Sequence, residues 1–190
     1  MNFTYTSYES LITKIKEKNY KIVSYHEWEG DDRCVILRHD VDYDLGKAVE
    51  FAHFEYTCRV KSTYYVLVSS DFYNVFSKEN VVKLKEILNY GHEIGLHFDE
   101  VCYPNILGKP QEICKKIIQE AELLSAAIGQ SVATVSMHRP SKAILEADLK
   151  VPGITAIGLD ILKNTKIKLN SGYLAGFIKY SSQVPGIYRL

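Results

Sequence analysis

The sequence predicts an α/β protein organised around a parallel sheet, and two observations carry that reading. Apolar runs of strand length, rich in β-branched and aromatic residues, alternate with stretches of helical periodicity. These runs also end on polar residues able to do chemistry. Strand, helix, strand at this spacing favours parallel strands joined by right-handed crossovers. Barrels and open sheets of this class both place their sites at the carboxyl ends of the strands, so separate stretches of sequence should converge on one face.

In chain order, residues 7–20 read as an amphipathic helix through Leu11, Ile12 and Ile15, packed as a brace outside the sheet. The apolar run 34–37 is a core strand that gives way to Arg38-His39-Asp40-Val41-Asp42-Tyr43-Asp44. Asp44 stands directly before Leu45, a good N-cap position for a helix over about residues 45–59. The run 63–68 ends in Ser69-Ser70-Asp71. Ser77 as N-cap and Gly91 as C′ residue bracket a second helix, with Val81, Leu84 and Leu88 on one face. Residues 94–96 end in His97-Phe98-Asp99-Glu100. Pro110 opens a third helix, which buries Ile113, Ile117, Leu124 and Ile128 and stops at Gly129. Residues 132–137 lead to His138-Arg139-Pro140, and residues 154–159 lead to Asp160. From Gly172 through residues 177–180 to Leu190 the chain reads as one more strand and an abrupt finish.

The most loaded segment is the first. While the backbone stays extended, Asp40, Asp42 and Asp44 point to one side and His39 to the other. Carboxylates held that close repel unless a cation sits between them or one takes up a proton, and both outcomes are chemically useful. His97 and His138 terminate apolar runs that should lie parallel to the Asp40/Asp42 strand, which suits them to a divalent ion. His92 follows a helix-ending glycine, where bonding to backbone is enough to explain it, and His26 and His53 receive no role. Arg139 adds a guanidinium able to hold a carboxylate ionised and in place, which a general base requires.

Composition narrows the classes. With 190 residues and 46% hydrophobic content the chain can bury a real core, as a single domain over 1–190. Lysine plus arginine and aspartate plus glutamate balance at 23 each, so a basic footprint for nucleic acid is missing. The cysteines Cys34, Cys58, Cys102 and Cys114 form no C-x-x-C pair and read as reduced packing thiols. No basic segment followed by an apolar core opens the chain and no run approaches a bilayer span, so a cytoplasmic protein is expected.

The order His-Asp-Val-Asp (39–42), Gly-His-Glu-Ile-Gly-Leu-His (91–97) and His-Arg-Pro (138–140) resembles the polysaccharide deacetylase superfamily (NodB-homology, carbohydrate esterase family four). It is especially similar to the branch labelled WbmS-like, found with surface-polysaccharide genes. The resemblance covers residues 33–142, with residues 1–30 as the helical brace. It implies an incomplete or distorted (β/α) barrel, short at the C-terminus, and a divalent metal, most often zinc, serving to deacetylate N- or O-acetylated sugars or sugar conjugates. Asp40 matches the general base, Asp42 and His97 the metal ligands, and Arg139 the arginine that orients the catalytic aspartate. The family's second metal-binding histidine would fall at Val101, which cannot bind a metal; His138 is the first substitute, with Glu100 and Asp99 in reserve. The family's catalytic acid is a histidine near the C-terminus, but none follows His138 here. An open sheet edge at the finish would need covering, for instance in a homo-oligomer.

Two other classes compete. One is a non-catalytic carbohydrate-binding or scaffold relative, to which the 14 tyrosines would supply sugar-stacking faces. The other takes Asp40-Val41-Asp42 as the Asp-x-Asp of a nucleotide-sugar transferase holding manganese, a reading that gives no reason for His97 and His138.

Overall fold

The computed structural model describes residues 4–28, 33–147, 149–157 and 187–189. Among them helices α1 (Tyr5–Glu17), α2 (Leu45–Thr57), α3 (Lys78–Asn89), α4 (Pro110–Ile128) and α5 (Lys142–Glu146) surround strands β1 (Lys21–Ile22), β2 (Cys34–Val41), β3 (Thr63–Leu67), β4 (Glu93–Phe98), β5 (Thr134–Met137), β6 (Thr155–Ile157) and β7 (Ile187–Arg189). The sheet order is β1-β2-β3-β4-β5-β6. All these pairings are parallel. The sheet curls into a half-barrel with helices on its outer side. β1 pairs with β2 at residues 34–35, and β7 runs parallel to β2 at residues 36–38. The strand expected around residues 172–180, and Asp160, lie outside the described residues.

Helix ends follow local chemistry. The Asp44 carboxylate accepts from the Gly46 and Lys47 amides, Ser77 caps α3 through the Asn80 amide, and Pro110 sits in the first turn of α4. Gly91 closes α3 at φ 86°, a left-handed backbone that disfavours any side chain. No helix among the described residues is long and apolar enough to cross a membrane.

Strand alternation divides the sheet into two faces. Outward residues Val66, Leu96, Phe98 and Val135 pack under α2, α3 and α4, through Leu84, Ile87, Ile113, Ile117 and Leu124. Val35 and Leu37 receive Tyr8, Leu11, Ile12 and Ile15 of α1. The other face of β2 and β3 carries Ile36 and Tyr65, which Tyr25 covers from the segment after β1. Gly95 makes this inner packing possible. A Cβ there would come within 2.4 Å of the Tyr65 ring and 2.8 Å of Thr134 Oγ1, so only glycine lets that ring lie across β4.

One buried charge ties the outer layer to the sheet. Glu55 on α2 is fully buried and accepts hydrogen bonds from Ser62 Oγ (2.5 Å), Tyr64 OH (2.7 Å) and Tyr8 OH, with His39 Nε2 at 2.9 Å. Burial pushes its carboxyl up, but the charge and hydrogen bond of His39, with those of Ser62 and Tyr8, outweigh this and bring it down to about 2. A carboxyl depressed on folding stabilises the native state fully above its ordinary value of 4.5, and loses that contribution as pH falls towards about 2. Glu55→Gln is therefore expected to lower unfolding free energy near neutral pH by about 3 kcal/mol, because it unbalances a buried network. Urea denaturation of both proteins should show the gap closing across that acidic window, and equal stability at neutral pH would contradict the assignment.

Candidate metal centre and active site

The site grows from strand register. Asp40 lies beside Tyr65, which lies beside Gly95; one step further along the strands His97 lies between Leu67 and Ser136. Residues 38, 40 and 42 share one face of β2 and its extension, so Arg38 stands directly below Asp40. Arg38 is 2% exposed, lies over the Tyr65 ring with its guanidinium carbon 4.7 Å from the centroid, and donates through Nη2 to Asp40 Oδ1 and Ser136 Oγ. Burial works against the Arg38 charge, yet the Asp40 carboxylate beside it prevails and holds the guanidinium above its usual range. A fixed cation in turn favours the anionic form of Asp40 and restricts its rotation.

Asp42, His97 and His138 come together at the carboxyl ends of β2, β4 and β5, with one ligand atom from each inside a 4.8 Å group. His97 Nε2 lies 2.9 Å from His138 Nδ1 and 3.5 Å from Asp42 Oδ1, and His138 Nδ1 lies 3.5 Å from the same oxygen. Tetrahedral zinc with bonds of roughly 2.0–2.1 Å would separate its ligand atoms by about 3.3 Å, close to this triangle. The other ring nitrogen of His97, Nδ1, lies 3.1 Å from the Ser136 carbonyl. A carbonyl can only accept, so Nδ1 carries the proton and Nε2 keeps its lone pair for the cluster. Asp42 Oδ1 is buried without a hydrogen-bond donor. An orphaned carboxylate oxygen facing two imidazoles is costly by itself and suits a bound cation, so the residues present fit a divalent metal. Asp40 Oδ2 stands 4.0 Å from His97 Nε2, at the edge of this group.

Arg139 is paired elsewhere than the resemblance implies. It donates to Asp99 Oδ2 at 2.5 Å and is 62% exposed, and the guanidinium on Asp40 belongs to Arg38. The reason is positional: Arg139 lies past the end of β5 beside Asp99, which lies just past the end of β4, whereas Arg38 shares the face of Asp40. The reserve ligands are also engaged. Glu100 accepts from Gly108 N at 3.2 Å and from the Ser141 amide, and Asp99 Oδ1 accepts from Val101 N at 3.2 Å. Val101 is half exposed. The remaining histidines have other occupations. Nε2 of His92 lies 2.9 Å from the Ala52 carbonyl, and the His53 ring lies against Tyr90. His26 lines a hollow by the start of β4 and β5, at the other end of the sheet from this cluster. Arg38, two residues before Asp40 on the same strand face, supplies to Asp40 the guanidinium that the resemblance assigns to Arg139.

No protein-family model matches the sequence, and no curated protein does. Among solved structures, the deacetylase PplD of Streptococcus pyogenes, solved with acetate, superposes at TM-score 0.55 and 14% identity, over 75% of this chain and 66% of that one. IcaB from Ammonifex degensii superposes at TM-score 0.54 and 12% identity, over 74% and 70%. The chain also matches BA3943 of Bacillus anthracis, a CE4 family pseudoenzyme, at TM-score 0.47 and 18% identity, over 64% of this chain. It spans 41% of the length of BA3943 and about two thirds that of PplD. By its curled parallel sheet and the superpositions on PplD and IcaB, this chain has the fold of the polysaccharide deacetylase superfamily.

Proposed function

We propose that the protein is a metal-dependent deacetylase acting on an N- or O-acetylated sugar or sugar conjugate in surface-polysaccharide assembly. The observation that carries this reading is the convergence of Asp42, His97 and His138 beside a carboxylate, Asp40, that is held by a buried arginine. Asp42, His97 and His138 would hold the ion, zinc by the nitrogen-rich donor set. When bound, it would supply Lewis-acid polarisation of the acetyl carbonyl and a more acidic water.

The chain's own residues account for the proton traffic. Asp40, kept anionic by Arg38, takes the proton from the attacking water as the carbon–oxygen bond forms. The protonated Asp40 is then the acid at hand, and it returns that proton to the departing amine or alkoxide as the acyl bond breaks. Arg38 stays charged throughout and prevents Asp40 from swinging away. His97 is fixed by the Ser136 carbonyl so that only one nitrogen faces the reacting group.

The transferase reading loses support because Asp40 pairs with Arg38, so the Asp-x-Asp does not present two free carboxylates to a diphosphate-bound ion. The test is acetate release from a panel of N- and O-acetylated sugar conjugates by zinc-loaded protein. The expected result is turnover on at least one conjugate, abolished by chelator and restored by zinc. A folded, zinc-loaded protein that releases no acetate from the panel would move the reading to the carbohydrate-binding alternative.

A further inference from the structure

Two large exposed aromatic side chains stand at the end of the sheet that carries Asp42 and His97. Tyr43 immediately follows Asp42 and is 67% exposed, and Phe72, in the loop after β3, is 64% exposed. Their rings touch, with centroids 4.6 Å apart and planes at 64°. In an edge-on pair of this kind one ring offers its edge and the other one face, so each ring retains at least one face for another partner. Both rings stand on backbone fixed from several sides. Tyr73 OH donates to the Val41 carbonyl at 2.6 Å and accepts from the Leu67 amide at 2.9 Å, which fastens the Phe72 loop to the ends of β2 and β3. Ser70 Oγ accepts from the Phe72 amide at 3.1 Å, Val75 is fully buried just beyond, and the capping role of Asp44 anchors the chain after Tyr43.

We propose that Tyr43 and Phe72 form a preorganised stacking platform for the apolar face of a pyranose ring in an uncharged glycan. Residues 40–44 and 69–74 carry no lysine or arginine, so these segments offer no cation of their own to an anionic membrane or an acidic polymer. A neutral sugar offers what the rings need: C–H groups on its faces for the aromatic surfaces, and hydroxyls on its rim for the surrounding carboxylates and Ser70. Rigid, already exposed rings bind with little ordering cost. Tyr43 follows β2 and Phe72 follows β3, so the platform stands at the same end of the sheet as Asp42 and His97. Its description as a substrate subsite rests on the deacetylase reading.

The test uses N-acetylated chitotetraose as probe, with binding measured by calorimetry on chelated protein and turnover on zinc-loaded protein. Tyr43→Ala and Phe72→Ala are each expected to raise the dissociation constant about tenfold, with the turnover effect falling on KM rather than on kcat. Tyr43→Phe keeps the ring and should bind like the native chain, which separates stacking from any general disturbance. Failure of the native protein to bind chitotetraose, or equal binding by the alanine variants, overturns the platform. Binding that depends on both rings in a protein releasing no acetate would sink the deacetylase reading and leave the platform standing.

Discussion

Asp40→Asn is expected to lower kcat about 10³-fold, equivalent to about 4 kcal/mol of transition-state stabilisation, while the protein still binds metal. Asparagine has nearly the same shape and can still accept from Arg38, so folding and the local hydrogen bond survive. What disappears is the ability to take a proton from water and hand it on. The metal should remain because Asp42, His97 and His138 are untouched, and Asp40 lies outside their group. Acetate release and metal content measured on the same preparation separate the two effects. Equal rates for the native protein and the variant would show that Asp40 is not the base, whatever the metal does.

The second large effect falls on the metal itself. His97→Ala removes the proposed ligand whose orientation is set from β5 and leaves Asp42 with a single imidazole partner. Two remaining donors hold a transition metal weakly, so affinity should fall by at least about 100-fold. The variant should still fold. Alanine deletes one ring, and the cavity it leaves opens towards half-buried Asp42 and His138 at the strand ends rather than into the helix-packed layer.

Much of this site was legible in the sequence because strand geometry is simple. Period-two alternation placed Asp40 and Asp42 on one face, and apolar runs ending in His97 and His138 placed those residues on neighbouring strand ends. The same rule, taken two residues back, would have found Arg38. The resemblance pointed instead to Arg139, which lies past the end of β5 beside Asp99. The two-residue β1 and the covering of Ile36 and Tyr65 by Tyr25 left no readable signal, since so short a strand has no periodicity and the cover depends on distant residues. Glu55 was equally hidden. In sequence it is one more charge on an amphipathic helix, and its burial becomes intelligible only when Tyr8, His39, Ser62 and Tyr64 arrive from other segments. The helix boundaries were easier, because Asp44, Ser77, Pro110, Gly91 and Gly129 act through their immediate neighbours.

The most direct test of the central claim is metal content per chain, by mass spectrometry, for native protein and His97→Ala purified without chelator. The account predicts about one transition-metal ion per native chain, zinc foremost, and nearly none in a folded His97→Ala. A well-folded native protein that stays metal-free even after zinc is offered, or a variant that keeps its metal, would contradict it.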